Sequence, residues 1–347
     1  MKALLLEEYK KLKFTEVPDP EITGADDILV KIKAVSICGS DVHGFDGSTG
    51  RRKPPIIMGH EASGEITAVG RDVKKFHPGD RITFDSTIYC GECFFCRRGQ
   101  VNLCDSRKVI GVSCDEYRYH GAFAEYITVP ERICYKLPDG LSWEEAAMTE
   151  PAAVAAHAFR ITPVSLNETV AVVGAGLIGL LLIDVLKAST SGRIIVLDTD
   201  PSRREAALLR GAVVFDPTDR ELNRKILDLT DGRGADRSFE AVGASVPIGT
   251  AISVTRKGGS VTLIGNISPK AEIPLQSVVS RQISLLGSCA ISGEYPIVLD
   301  LMSRRQINVT SLISKKAPLS EGQIWFDRLY NREEKLLKVV LVPEDYK

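Results

Sequence analysis

The chain reads TVAVVGAGLIG from Thr169 to Gly179, an apolar β-type run that passes directly into a G-x-G-x-x-G motif. The motif opens an apolar stretch, Leu177–Ala188, for which we predict a helix. Strand, glycine turn and helix in this order are typical of a dinucleotide-binding loop. The sequence therefore predicts that a nucleotide cofactor binds at this turn.

Each position of the motif has its own physical role. Gly174 makes the tight turn, Gly176 lets the backbone approach a pyrophosphate, and Gly179 lets the helix pack closely against the strand. The free backbone amides at the start of the helix, at Leu177 and Ile178, are expected to hold the phosphates. The alternative is a glycine-rich turn without a ligand, and the flanking strand and helix argue against it.

An acidic residue follows the next predicted strand. Asp198 stands 24 residues after Gly174, where a carboxylate would bond the adenosine ribose hydroxyls and repel a 2′-phosphate. NAD is therefore favoured over NADP. Arg203 and Arg204 follow closely and leave NADP open as the alternative, because a guanidinium accommodates a 2′-phosphate.

Strands and helical stretches alternate around the motif. Short apolar strands joined by helical crossovers are typical of a doubly wound parallel sheet, an α/β architecture. We predict six such strands, at Val170–Val173, Ile194–Leu197, Val213–Phe215, Arg237–Glu240, Ser260–Ile264 and Ile283–Leu286.

The chain up to about residue 145 is predicted to be β-rich. Ser142 and Glu145 then form a capping box, which opens a predicted helix through Phe159. A length of 347 residues favours two domains. The other elements predicted outside the parallel sheet are Ile28–Val35, Ser63–Val69, Arg81–Phe84 and Leu337–Val342 as strands and Pro296–Arg305 as a helix.

Composition excludes several classes of partner. A hydrophobic share of 44% and a charged share of 26% are those of a soluble globular protein. A net charge of −1 provides no field that would attract nucleic acid or an acidic membrane surface. The start, Met1–Glu8, does not resemble a signal peptide, and no apolar run approaches the ~20 residues that span a bilayer. We therefore expect a cytoplasmic protein whose partners are small molecules or copies of itself.

Four of the eight cysteines lie close together in the chain. Their spacing is C-x2-C-x2-C-x7-C, which offers four thiolates on one compact lobe. Without an export signal this pattern favours metal ligation over disulfides. Four thiolates complete a tetrahedral structural zinc and leave no position open for chemistry. The predicted ligands are Cys90, Cys93, Cys96 and Cys104.

A second set of possible ligands is dispersed along the chain. Cys38, His60 and Glu61, together with Glu150, offer sulfur, imidazole and carboxylate. This combination suits a catalytic zinc that keeps one position open. Taken singly, a buried cysteine such as Cys38 is more often a small hydrophobe, and a lone histidine such as His60 is more often structural.

Two polar residues follow Cys38 at short spacing. Ser40 and His43 stand in the hexapeptide Cys38–His43, and a hydroxyl and an imidazole could pass a proton outward from a buried alcohol. Without a zinc nearby, His43 is better interpreted as a surface residue.

Taken together, these residues resemble the zinc-containing medium-chain dehydrogenases over essentially the whole chain. The segments CGSDVH, GHEASG and CYKLPD, from Cys38, Gly59 and Cys134, look like the sorbitol (polyol) dehydrogenase branch. The Glu150-Pro151 pair and the glycine motif fall in the order of the family.

The resemblance implies a GroES-like, β-rich catalytic domain formed by both chain ends around a central Rossmann domain that binds NAD. The expected boundaries are 1–148 for the catalytic domain with its zinc lobe, 149–288 for the Rossmann domain, and 289–347 for the return to the catalytic domain. A homodimer or homotetramer is implied as well.

The resemblance also implies site roles. Cys38 and His60 would bind the catalytic zinc together with either Glu61 or Glu150, since members of the family differ over the glutamate. The proton would leave the alcohol through Ser40, a ribose hydroxyl of the cofactor and His43. Positions that would line the nicotinamide half are Val242, Gly265, Asn266 and Ser288.

One departure from the family concerns the substrate. Mammalian-like sorbitol dehydrogenases carry Phe-Arg-Tyr two residues after the glycine that matches Gly287, where this chain has Cys289–Ile291. A site loses strong discrimination when groups that bond substrate hydroxyls are missing. The expected substrate is therefore a polyol, a sugar alcohol or a related secondary alcohol, and threonine, butanediol and polyol-phosphate dehydrogenase activities remain alternatives.

Two rival functions use the same scaffold. A non-catalytic binding protein would usually have lost the zinc ligands or the relay residues, and a quinone reductase of the same superfamily would lack zinc. Both interpretations conflict with the complete set of residues in this chain.

A run of three cations, Arg51-Arg52-Lys53, lies between His43 and His60. Such a run is usually a solvated surface loop. The alternative is that these cations meet a phosphate or carboxylate on the substrate at the mouth of the pocket.

Overall fold

The structure is a computed structural model that describes residues 1–113, 118–189, 192–333 and 336–344. The chain divides into two compact units. Unit 1 comprises Met1–Glu150, Ile291–Arg304 and Val309–Lys347, and unit 2 comprises Pro151–Ala290 and Arg305–Asn308. Each unit contains a hydrophobic core of its own.

The strands of the described residues are, in chain order, β1 Lys2–Glu8, β2 Lys11–Glu16, β3 Asp27–Ser36, β4 Ile56–Ile57, β5 Glu61–Val69, β6 Arg81–Phe84, β7 Thr87–Ile88, β8 Lys108–Val109, β9 Tyr126–Pro130, β10 Cys134–Lys136, β11 Val170–Val173, β12 Ile194–Leu197, β13 Val213–Phe215, β14 Ala235–Glu240, β15 Thr255–Leu263, β16 Ser284–Gly287, β17 Ile313–Pro318 and β18 Lys338–Val342. The α-helices of the same residues are α1 Gly39–Gly44, α2 Phe94–Arg97, α3 Trp143–Ala147, α4 Thr149–Ile161, α5 Leu177–Ala188, α6 Pro201–Leu209, α7 Leu222–Leu229, α8 Ser245–Val254, α9 Leu275–Ser280, α10 Tyr295–Ser303 and α11 Gly322–Asn331. None of these helices combines the length and the apolar character needed to cross a membrane.

Unit 1 is built on a mixed seven-stranded sheet in the order β10-β6-β5-β3-β18-β17, with β9 also paired to β3. Strand β3 alternates buried apolar residues with partly exposed ones, as a strand with one covered face requires. The last strand, β18, pairs antiparallel with β3, so the C-terminal segment completes a sheet begun near the N-terminus. The rings of Phe45 and Phe326 pack in the core of this unit with centroids 5.3 Å apart.

Unit 2 contains a six-stranded parallel sheet in the order β13-β12-β11-β14-β15-β16. The strand order reverses beside β11, which is the topological switch point where such sheets bind ligands. All six predicted strands are present, and helix α5 has the predicted bounds. The predicted α/β class, with a doubly wound parallel sheet, is therefore confirmed.

The helix predicted from Ser142 is wrong in its extent. The capping box between Ser142 and Glu145 is present, but α3 ends at Ala147 and a separate helix begins at Thr149. A single helix would need the residue-151 amide to donate to the Ala147 carbonyl, and Pro151 has no N–H.

Strand β15 begins at Thr255, five residues before the predicted start at Ser260. Its pairing with β14 shifts register near this end, where Ala235 faces Thr255 but Arg237 faces Ser260. The first part of the strand contains Lys257, Gly258 and Gly259, which are not typical strand residues, so the apolar pattern predicts only its second part.

Candidate functional site

Strand pairing brings the dispersed ligand residues of unit 1 together. Ser36, at the end of β3, faces Glu61, at the start of β5, in an antiparallel pair. Cys38 follows two residues after β3 as the N-cap of α1, and its Sγ accepts the Ser40 amide at 3.4 Å. The Cys38, His60 and Glu61 donor atoms all lie within 4.8 Å of one another. A thiolate, an imidazole and a carboxylate at this separation fit a zinc ion with an open coordination position.

A buried lysine faces the Glu61 carboxylate. Lys338 is 2% exposed, and its Nζ donates to Glu61 Oε2 at 2.6 Å and to the Ile37 carbonyl at 3.1 Å. The Ser36 hydroxyl donates to the same oxygen of Glu61. Burial alone would lower the pKa of Lys338, but Glu61 and Cys38 together raise the pKa above its usual value. Lys338 therefore stays charged and neutralises one carboxylate of the site.

The second candidate glutamate lies near this group but outside it. Among the described residues, Glu150 is not part of the close group of donors, and its Oε1 accepts the Ser86 hydroxyl at 3.2 Å. Burial raises the pKa of Glu150 to about 7, and repulsion from Glu61 adds to the rise while His60 opposes it. The two glutamates thus share one electrostatic environment, and which of them binds a metal stays a prediction.

His60 is supported from behind by a carboxylate. Asp41 is fully buried, and its Oδ2 lies 3.5 Å from His60 Nδ1. Burial alone would raise the pKa of Asp41, but His60 and Arg52 hold the pKa well below its usual value. A carboxylate on one ring nitrogen orients an imidazole so that the other nitrogen faces a metal.

The expectation for the cationic run is wrong for its central residue. Arg52 is only 3% exposed, and its Nε and Nη2 donate to Asp41 Oδ1 at 3.2 and 2.8 Å. It is neither a solvated surface residue nor free to meet a substrate phosphate, because the buried Asp41 carboxylate requires a counter-charge. Arg51 and Lys53 are exposed, as a surface loop predicts.

The two predicted relay residues lie on one face of α1, three positions apart. Both Ser40 and His43 are exposed. The Ser40 hydroxyl donates to Cys38 Sγ at 3.3 Å and accepts from Arg52 Nη2 at 3.3 Å. The structure therefore places Ser40 against the proposed metal ligand Cys38.

The four clustered cysteines form a second group of donors in unit 1. Their sulfur atoms lie within 4.8 Å of one another. Backbone amides point at the sulfurs: the Cys93 amide donates to Cys90 Sγ at 3.4 Å, and the Cys90 amide donates to Cys104 Sγ at 3.3 Å. The amide of Cys96 is the main cause that lowers the pKa of Cys93 to about 6. Four sulfurs at this separation fit a closed structural zinc.

In unit 2 the glycine motif joins β11 to α5. Gly174 has φ +96°, and a Cβ at Gly179 would lie 1.9 Å from the Gly174 carbonyl oxygen. A Cβ at Gly176 would meet no described atom within 4 Å, so the space beside its backbone is open. A pyrophosphate bound at the N-terminus of α5, beside Leu177 and Ile178, requires these three features: a tight turn, a helix packed closely on the strand, and open space beside the backbone.

Asp198 follows β12 and lies beside this loop. Its Oδ2 accepts the Ala175 amide at 2.7 Å and lies 3.9 Å from Arg203 Nη1. Arg204 instead donates to the Asp198 carbonyl at 2.7 Å and to Asp216 Oδ2 at 3.1 Å. Of the two arginines, Arg203 is therefore the one whose guanidinium remains near the carboxylate.

The other predicted cofactor positions follow β14, β15 and β16. The loops at Val242 and Gly265 touch, because a Cβ at Gly265 would lie 2.1 Å from the Gly243 nitrogen. Asn266 is next to Gly265, and its nitrogen lies 2.3 Å from a Cβ built on Gly243. The Ser288 amide donates to the Leu263 carbonyl at 2.9 Å. These loops all lie at the carboxyl edge of the sheet, where ligands of doubly wound folds bind.

Sequence reasoning missed Glu240, which ends β14. This residue is fully buried, and its Oε1 accepts the Val242 and Gly243 amides, each at 2.8 Å. Burial raises the pKa of Glu240, although the two amides oppose the rise. Its carboxylate shapes the loop that carries Val242. The available signal was an acidic residue at the carboxyl end of a strand in a doubly wound sheet.

Comparison with known proteins assigns both parts of the chain. Residues 24–139 match the alcohol dehydrogenase GroES-like domain, and residues 178–304 match the zinc-binding dehydrogenase domain. The chain is 33% identical over 344 residues to D-arabitol-phosphate dehydrogenase of Enterococcus avium, covering 97% of this chain and 96% of that protein. It is 32% identical over 349 residues to sorbitol dehydrogenase of Bacillus subtilis, covering 99% and 97%. A zinc-binding dehydrogenase from Sinorhizobium meliloti, whose structure is bound to NADP, matches with a TM-score of 0.89, 30% identity and 99% coverage of both chains.

Proposed function

The chain belongs to the zinc-type medium-chain alcohol dehydrogenase family, in its polyol dehydrogenase branch, and on this basis we propose that it oxidises a secondary hydroxyl of a polyol or polyol phosphate with NAD. Its relatives are oxidoreductases that act on CH–OH groups, which disfavours a non-catalytic role. The observation that carries the proposal is the group of Cys38, His60 and Glu61 donors within 4.8 Å.

The oxidation removes a hydride from carbon and a proton from oxygen. When bound, zinc supplies Lewis acidity at the alcohol oxygen and the nicotinamide supplies the hydride acceptor. Cys38 and His60, with Glu61 or Glu150, would hold the metal, and Asp41 orients His60. Ser40 would accept the alcohol proton and release its own, which a ribose hydroxyl of the cofactor and His43 would carry to solvent.

The four-cysteine lobe would hold a second, structural zinc, so the proposal includes two zinc ions per chain. The absence of an open position in a four-thiolate set supports this division of roles. Three of the four lobe cysteines are partly exposed, and such thiols stay free of disulfides in a reducing compartment, which supports a cytoplasmic location.

A homodimer or homotetramer is also part of the proposal. Strand β16 is an edge strand of its sheet, and the adjacent helix α9 exposes Leu275 and Val279 at 62% and 70%. An open edge beside exposed apolar side chains supports association with a second copy.

The substrate within this class is proposed from two observations. Two relatives are a sorbitol dehydrogenase and an arabitol-phosphate dehydrogenase. Where mammalian-like sorbitol dehydrogenases carry Phe-Arg-Tyr, this chain has Cys289–Ile291 and therefore lacks that arginine and that tyrosine. A screen that follows NADH absorbance should include sorbitol, xylitol, arabitol, their phosphates, threonine and 2,3-butanediol. Turnover of a polyol or its phosphate is expected, and turnover of threonine or butanediol alone would contradict the polyol assignment.

Asp198 should control the choice of nucleotide. We expect Asp198→Asn to lower the preference for NAD over NADP by roughly tenfold, since a hydrogen bond to a charged group is worth about 1.5–3 kcal/mol. Asparagine retains an acceptor for the Ala175 amide, so the loop keeps its contact. The ratio of kcat/KM for the two nucleotides measures the effect. A wild-type enzyme that prefers NADP would show that Arg203 outweighs Asp198.

His43 should act in proton release. His43→Ala is expected to slow alcohol oxidation near neutral pH by up to roughly 10²–10⁴-fold, the range of general-base contributions. The deficit should shrink as pH rises, because hydroxide replaces the missing base. The exposed His77 supplies the control His77→Ala, and identical pH–rate profiles for the two variants would remove His43 from the mechanism.

A further inference from the structure

A buried carboxylate holds the loop that follows β14 at the carboxyl edge of the unit 2 sheet. Glu240 Oε1 accepts the Val242 and Gly243 amides at 2.8 Å each, and its Oε2 accepts the Gly243 amide at 3.0 Å. Among the described residues, the carboxylate of Glu240 contacts only these N–H donors and has no cation as a partner. A buried charge without a counter-charge is costly, so these hydrogen bonds are what compensates for its burial.

The backbone of Glu240 holds the next loop along the sheet. Its carbonyl accepts the Ile264 amide at 2.8 Å and the Gly265 amide at 3.1 Å, and both residues come directly after β15. The two loops also contact each other, because the Gly243 carbonyl accepts the Ser268 amide at 3.0 Å. The side chain and the backbone of one residue thus hold two adjacent loops together.

The first of these loops packs against the glycine motif on its other side. Strand β14 lies between β11 and β15 in the sheet. The Ala241 amide donates to the Val173 carbonyl at 2.9 Å, and a Cβ built on Gly174 would lie 2.6 Å from Val242 Cγ2. The loop of residues 241–243 therefore lies between the turn that would hold a pyrophosphate and the loop that follows β15.

We propose that Glu240 is a positioning residue for the nicotinamide half of the cofactor, because its carboxylate fixes the 241–243 loop as a wall against which that half binds. The adenine half depends instead on the glycine motif and on Asp198, and the Glu240 carboxylate contacts neither of these among the described residues. This inference rests on the proposed function, because it concerns the cofactor of the same oxidation.

Glu240→Gln keeps the shape of the side chain and changes only what it can accept. A glutamine has one carbonyl oxygen and an NH2 group that only donates. In either orientation this NH2 group faces at least one of the two backbone amides, donor against donor. We expect the loop to shift and the Kd for NADH to rise about tenfold or more, since buried donors lose a bond to a charged group.

Separate titrations with NADH and ADP, followed by calorimetry on the zinc-loaded protein, locate the effect. ADP contains the adenosine and the two phosphates but no nicotinamide, so its Kd should change less than about twofold if the two halves bind independently. The matched control is Glu221→Gln, which changes an exposed glutamate of the same unit. It should leave both Kd values unchanged.

Two results would overturn the inference. One is a Kd for NADH in Glu240→Gln equal to that in Glu221→Gln. The other is a loss of affinity for NADH and ADP by the same factor, or a chain that no longer unfolds cooperatively, since either would make Glu240 a general support of unit 2. If the wild type binds neither NADH nor NADPH, the proposed function fails instead.

Discussion

Cys38→Ser is expected to abolish alcohol oxidation while the chain stays folded. Cys38 contributes the sulfur of the Cys38, His60 and Glu61 group, and a serine hydroxyl does not ionise to replace a thiolate ligand. Metal catalysis of this kind contributes several kcal/mol, so kcat/KM should fall on the order of 10³-fold or more. The fold should persist, because serine at the N-cap of α1 still accepts the Ser40 amide.

The measurements are zinc content, turnover and thermal unfolding. Zinc should fall from two ions to one per chain, and the unfolding temperature should match that of Cys289→Ser, which changes an exposed cysteine outside both donor groups. If Cys38→Ser retains both zinc ions and its turnover, the catalytic site is misassigned. A wild-type chain that saturates with one zinc would contradict the two-site proposal.

Features that are local in the sequence could be predicted well. The glycine motif and the four-cysteine lobe each lie within a short segment of the chain. The spacing of their residues in the sequence therefore largely determines their arrangement in space. Strands β11 and β12 of unit 2 are short apolar runs in which every residue is buried, and hydrophobic pattern alone indicates them.

Contacts between distant residues could not be predicted in this way. Lys338 and Glu61 are 277 residues apart, and only the pairing of β18 with β3 brings the lysine to the carboxylate. The sequence predicted an exposed Arg52, because runs of charged residues usually lie at the surface. Its burial depends on the Asp41 carboxylate, which lies on another element and which the sequence pattern does not connect to it.

A change in the four-cysteine lobe is expected to have a large effect on the stability of the chain. Helix α2 has no buried residues, and Phe94 and Leu103 on the lobe are 62% and 40% exposed. A segment that buries so little apolar surface needs another source of stability, and a tetrahedral zinc is the available one. Cys93→Ser is therefore expected to remove the second zinc and to lower the unfolding temperature clearly.

The change at Cys93 is well suited to isolate the metal. Cys93 is the N-cap of α2, and serine caps helices well, so a loss of stability cannot come from the cap. Structural zinc in small domains contributes roughly 10–16 kcal/mol of apparent binding free energy. Because the lobe is only a small part of this chain, only a fraction of that free energy should appear in the unfolding of the whole chain.

Limited proteolysis should cut within Cys90–Cys104 in Cys93→Ser but not in Cys289→Ser, and a chelator should reproduce that cleavage in the wild type. Because a closed four-thiolate site would leave no coordination position open for chemistry, the intact fraction of Cys93→Ser should keep near wild-type kcat. A Cys93→Ser protein that retains two zinc ions, or unfolds at the temperature of Cys289→Ser, would show that the four thiolates do not hold a structural metal.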